Sequence, residues 1–118
     1  MARYATDLRL RARLFSIAVY KLSKHVRERH PALRNASDQL FDAASSIGAN
    51  LAESEGLNSR KELAARYAIA LKEAREARYW LEVIRTAEPA LDAQAEPLMR
   101  ECNEFIAMMT TALKKLRS

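Results

Sequence analysis

The chain has 118 residues, 49% hydrophobic and 30% charged, with a formal net charge of +5 at pH 7. A length of this order forms one domain and removes well over half of the unfolded surface on folding, and the apolar share excludes a disordered chain. Two glycines and three prolines exclude a turn-rich β-sandwich or barrel and a fold built around a three-glycine nucleotide loop.

Four helical segments follow from periodicity and punctuation. The first is expected from about Asp7 to Arg29, ending before His30-Pro31, because a residue preceding proline is biased out of the helical region. Leu10, Leu14, Phe15, Ile17, Ala18, Val19, Leu22 and Val26 supply its apolar face. Arg9, Arg13, Ser16, Tyr20, Lys24 and Arg27 recur at steps of three and four, which at about 100° per residue places them away from that face. Arg11 points toward the apolar side, so either it snorkels or packing starts only at Leu14.

The second helix is expected over residues 37–55, with Ala36, Leu40, Ala43, Ala44, Ile47 and Leu51 as its seam. Gly48 beside that seam signals a close helix approach, and Gly56 is a natural left-handed stop. The third helix, over residues 60–87, opens on Ser59-Arg60-Lys61-Glu62. In this capping box the serine side chain satisfies one free amide and the glutamate folds back on another. Leu63, Tyr67, Ala70, Ala74, Ala77, Leu81 and Ile84 follow in heptad register. The fourth helix, over residues 91–117, carries Leu91, Ala95, Leu98, Cys102, Phe105, Met109, Ala112 and Leu116. Either it starts near Glu96 with Pro97 in its first turn or it kinks at Pro97. Four such helices with short connections define an all-α, antiparallel up-down-up-down four-helix bundle covering residues 1–118 as a single domain.

The charge is uneven. Residues 1–34 hold nine Lys/Arg (Arg3, Arg9, Arg11, Arg13, Lys21, Lys24, Arg27, Arg29, Arg34) against Asp7 and Glu28, whereas the rest is slightly acidic. A concentrated cationic patch favours a polyanion, so nucleic acid, RNA or DNA, is the expected partner. Arg9, Arg13, Lys24 and Arg27 are the candidate phosphate contacts, and Tyr20 the candidate for stacking on a base. No base-reading module is encoded, so binding is expected to depend on salt and to select sequence weakly.

The third helix has a second line, Ile69, Glu73, Glu76, Trp80 and Val83, about 100° around from its core seam. A registered apolar stripe of this kind marks self-association, the bland alternative being that Trp80 only covers the core edge. Glu73 and Glu76 within it need cations, for which Arg66, Arg75 and Arg78 are the nearest sources. Asn50, Glu53, Ser59 and Glu62 read as a structural polar cluster around the opening of the third helix, with a catalytic use of Asn50 and Glu53 as a weak third option.

Catalytic and metal signatures are missing. One cysteine and two histidines are too few for a zinc site, and no Glu-x-x-His pair for a di-metal bundle exists. His25 and His30 read as surface residues, and Cys102 as a buried small hydrophobe. Cofactors and metals are therefore expected to be absent, and the protein to be non-enzymatic. No run of about 18 apolar residues is present to span a membrane. The first residues lack a signal core and Cys102 has no internal partner, so a cytoplasmic setting without membrane is expected.

The run Ser46-Ile47-Gly48-Ala49-Asn50-Leu51-Ala52-Glu53, then Ser59-Arg60-Lys61-Glu62, then Ile69-Ala70-Leu71-Lys72-Glu73-Ala74-Arg75-Glu76 with Tyr79-Trp80-Leu81, resembles the bacterial four helix bundle protein family. Its members include proteins encoded in intervening sequences of 23S ribosomal RNA genes, and the accessory proteins of diversity-generating retroelements are related in fold. The resemblance covers about residues 19–116. It implies a homopentameric, barrel-like assembly of antiparallel bundles, and for the retroelement relatives a basic surface that meets nucleic acid and a partner reverse transcriptase. Ser54 stands where the family commonly has glycine. The expected function is a non-enzymatic, oligomeric nucleic-acid binder, accessory to a ribonucleoprotein or reverse transcriptase. The alternative is a protein-interaction or scaffold module that binds no nucleic acid.

Overall fold

The computed structural model describes the backbone of residues 2–118 and the side chains from Asp7 onward, so Arg3 of the basic cluster lies outside the described side chains. Four α-helices make up the fold: α1 (Ala2–Arg29), α2 (Arg34–Glu53), α3 (Arg60–Ala87) and α4 (Asp92–Arg117). Short 3-10 turns at Pro31–Leu33 and Pro89–Leu91 lead into α2 and α4. The described residues contain no strand. Short connections make consecutive helices antiparallel. α2 packs between α1 and α3, α4 packs on α3, and α1 meets α4 along a far sparser seam. α1 and α3 therefore occupy one diagonal of a bundle measuring 45 × 21 × 20 Å.

Three boundaries differ from the sequence reading, each for a local reason. α1 begins at Ala2 rather than near Asp7. α2 begins at Arg34 rather than Ser37, because Pro31 opens a 3-10 turn whose end passes directly into helical geometry at Arg34. α4 begins at Asp92 and contains Pro97, so the start near Glu96 is not adopted. Arg85 fixes this early start: it bonds Asp92 at 2.6 Å and Glu96 at 2.7 Å. Ser54 sits in the right-handed helical region at φ −71°, and its hydroxyl donates to the carbonyl of Leu51, so that position needs no glycine. The left-handed residue of the turn is Gly56, at φ 82°.

The core line of α1 is Leu8, Ala12, Phe15, Val19, Leu22 and Val26. Packing thus begins at Leu8, well before Leu14. Three residues assigned to the apolar face from sequence lie outside it: Leu10 is 44% exposed, Leu14 55% and Ile17 47%. A line stepping four and three from Leu8 turns them outward. Arg11 lies in the sparse α1/α4 seam. Its Nε donates to Glu101 at 3.1 Å, Nη2 reaches the other Glu101 oxygen and Glu104, and its guanidinium lies 5.9 Å from the Phe105 ring centre. The bonds to Glu101 hold the Arg11 guanidinium more basic than usual. The ring of Phe105 meets Phe15 edge-on at 5.5 Å. On α4 the core line runs through Met109 to Leu113, leaving Ala112 and Leu116 half-buried.

Cys102 is fully buried, and that burial pushes its thiol up to about 12. At pH 8 the native protein is expected to react with a thiol reagent about a thousandfold more slowly than the unfolded chain. Comparable rates for the two forms contradict this packing of α4.

Candidate functional site

Serines lock α1 onto α2. The Ser16 hydroxyl donates to the carbonyls of Ala12 at 3.1 Å and Ala44 at 3.2 Å. Ser23 and Ser37 donate to each other's carbonyls at 3.3 and 3.4 Å. These buried pairs satisfy polar groups that would otherwise be costly at the joint. Gly48 faces the same joint, where an added Cβ would lie 3.5 Å from Ser16 Oγ. That is ordinary contact, so the approach is close without being closed to alanine.

The outer side of this joint is grooved. One groove, of about 700 Å³, is lined by Arg9, Leu10, Arg13, Ser16 and Ile17 of α1 and by Ser45, Gly48, Ala49, Ala52 and Glu55. A second, of about 370 Å³, is lined by Tyr20, Ser23, Lys24, Arg27 and Glu28 of α1 and by Asp38 and Phe41 of α2. Arg9, Arg13, Tyr20, Lys24 and Arg27 thus fall along one flank of α1 bordering α2. The cations are not equally available. Arg9 Nε lies 3.8 Å from Glu55 and Arg27 Nη1 lies 3.4 Å from Asp38. Arg13 and Lys24 are exposed and make no ion pair among the described residues. Tyr20 is exposed and its ring is braced edge-on by Phe41 at 6.1 Å.

The polar cluster at the opening of α3 forms through an arginine. Asn50 Nδ2 donates to the carbonyl of Ser46 at 2.9 Å, and its Oδ1 accepts from Arg66 at 3.1 Å. Arg66 also pairs with Glu53 at 2.6 Å. Ser59 caps α3, its side chain accepting from the Glu62 amide at 3.3 Å. The Glu62 carboxylate makes no return bond among the described residues.

The α3 stripe is laid out differently from its expected pairing. Arg66 is held by Asn50 and Glu53, and Arg78 donates to Asn103, so neither meets Glu73 or Glu76. No hydrogen bond or ion pair reaches these two carboxylates among the described residues. Burial, reinforced by Glu76 and opposed by Lys72, raises the Glu73 carboxyl above its usual value. Ile69 is 40% exposed, while Trp80 and Val83 are half-buried against the core edge. The Trp80 indole nitrogen is buried without an acceptor. Its ring stands edge-on to exposed Tyr79 at 5.0 Å.

The described residues contain no group of three or more His, Cys, Asp or Glu arranged to hold a metal. His25 and His30 are half-buried, more enclosed than the surface reading expects. Their rings lie 6.0 Å apart, and His30 Nδ1 lies 3.5 Å from Glu88. No helix among the described residues is long and apolar enough to cross a membrane.

Fold and surface together define an antiparallel four-helix bundle with a cationic, grooved flank along its first helix. The chain belongs to the 23S rRNA-intervening sequence protein family, whose model matches residues 6–111. It is similar to a protein of unknown function from the S23 ribosomal protein family of Bacteroides thetaiotaomicron VPI-5482. That crystal structure superposes with a TM-score of 0.83 at 28% sequence identity, over 91% of this chain and 98% of that one. No curated protein matches. Family and fold agree with the resemblance carried by the Ser46–Glu53 block. Neither description names a reaction, a ligand or an assembly.

Proposed function

We propose that this protein binds RNA or DNA through the basic flank of α1, as an oligomer joined through the α3 stripe of Ile69, Glu73, Glu76, Trp80 and Val83. The observation that carries the reading is the placement of four cations and one exposed aromatic on a single flank, spaced along two grooves. A backbone tracking this flank meets Arg9, Arg13, Lys24 and Arg27 in turn, while Tyr20 offers a ring face to an unpaired base. Repetition of the flank around an oligomer multiplies weak contacts. The role is accessory, presenting nucleic acid to a ribonucleoprotein or a reverse transcriptase, in line with the family resemblance.

The test is a salt titration with a short labelled stem-loop RNA followed by fluorescence anisotropy. Four phosphate contacts predict that log K falls with log salt at a slope of about −3 to −4. No binding at the lowest salt contradicts the proposal. One observation favours a second reading, a protein scaffold: Glu55 and Asp38 lie against two of the four arginine and lysine side chains, and Leu10, Leu14 and Ile17 stand exposed beside them. An oligomer that ignores RNA at every salt concentration supports that alternative.

A further inference from the structure

Two faces of this bundle lack partners, and their chemistry is complementary. The outward side of α1 presents Leu10, Leu14 and Ile17, at 44%, 55% and 47% exposure. Arg13, Lys21 and Lys24 border it, all exposed and none in an ion pair among the described residues. The outward side of α3 presents Ile69 beside Trp80, with the carboxylates of Glu73 and Glu76 between them, again without ion pairs. Unpaired cations flank one apolar line and unpaired anions interrupt the other. Both lines step by four and three residues, the spacing at which helices interdigitate side by side at a shallow angle.

The two faces cannot meet within one chain. α1 and α3 occupy one diagonal of the bundle, separated by α2 and α4, and both lines point away from the core. Resting on the self-association reading above, we propose that the Leu10/Leu14/Ile17 face of α1 docks on the Ile69/Glu73/Glu76/Trp80 face of α3 in a second copy of this chain. Arg13 and Lys21 lie against the carboxylates of Glu73 and Glu76 in that joint. The contact is head-to-tail: each copy offers one face of each kind, so the assembly closes as a ring of three or more subunits. It turns α1 so that Leu14 enters the joint while Arg9, Tyr20 and Arg27, on the side toward α2, stay open for nucleic acid.

Two single variants and their mixture test the pairing. Leu14→Glu places an anion on the α1 face opposite Glu73 and Glu76. Glu73→Lys places a cation on the α3 face opposite Arg13 and Lys21. Both sites are partly or largely exposed and unpaired, and thermal melts check that each variant stays folded. Light scattering is expected to show the wild type as three or more subunits and each variant alone as a monomer. An equimolar mixture should form a 1:1 heterodimer and nothing larger, because only one intact α1 face and one intact α3 face remain. A wild-type dimer overturns the head-to-tail arrangement. A wild-type oligomer whose mass survives Leu14→Glu, or two monomeric variants that do not associate on mixing, overturns this pairing and leaves self-association standing. A monomeric wild type overturns the self-association reading itself.

Discussion

Phe105→Ala is expected to lower the unfolding free energy by about 3–5 kcal/mol. The ring is fully buried and meets Phe15 edge-on at 5.5 Å, with Arg11 above it. It stands where α1 and α4 approach each other least, so few other side chains share the load. The Arg11–Glu101 pair beside it lies at the edge of the cavity this change would open, so water entering there weakens a second contact. Against a total of about 5–15 kcal/mol for a domain, the loss is a large fraction of stability, read as a drop in the urea midpoint. Phe105→Leu, which keeps most of the volume, is expected to cost less than about 1.5 kcal/mol. If alanine costs no more than leucine, Phe105 does not hold the α1/α4 seam.

Reversing Arg9, Lys24 and Arg27 together to glutamate is expected to weaken RNA binding by about a hundredfold or more at low salt and to flatten its salt dependence. Arg13 stays in place because it also borders the apolar side of α1. The bundle should hold, since the two ion pairs lost, to Glu55 and Asp38, are exposed or half-exposed contacts at 3.8 and 3.4 Å. Such pairs contribute at most about 1 kcal/mol. Tyr20→Ala is expected to weaken a single-stranded RNA by about 1–3 kcal/mol and to spare a duplex. If the triple variant binds RNA as the wild type does, the interface lies elsewhere. If Tyr20→Ala weakens both substrates equally, the ring is not stacking on bases.

Much of this structure is legible in the residues, and the parts that are not share a cause. The α2 and α3 seams are read correctly because alanine and leucine at steps of four and three leave only one arrangement that buries them. The cap at Ser59 is equally clear, since it depends only on residues within one turn. On α1, leucines and isoleucines occupy more than half a turn of the helix, and periodicity alone cannot say which stripe faces inward. The choice falls to Leu8 and Ala12, and Ala12 passes unnoticed because small residues carry little hydropathy signal. Arg11 is placed by Glu101, 90 positions away, a pairing that no local pattern announces. Likewise Ser16, Ser23 and Ser37 read as unremarkable polar residues until the helices meet and their hydroxyls find carbonyls across the joint. The five-residue basic and aromatic flank is written in helical spacing alone. The acidic residues of α2 that touch it come from a neighbouring helix, and only the packed bundle brings them there.

The most direct measurement is light scattering on the purified, nuclease-treated protein, with and without a short structured RNA, at two salt concentrations. A defined oligomer that gains RNA mass at low salt and releases it at high salt is the expected result. A defined oligomer whose mass is unchanged by RNA at both salts contradicts nucleic-acid binding through α1.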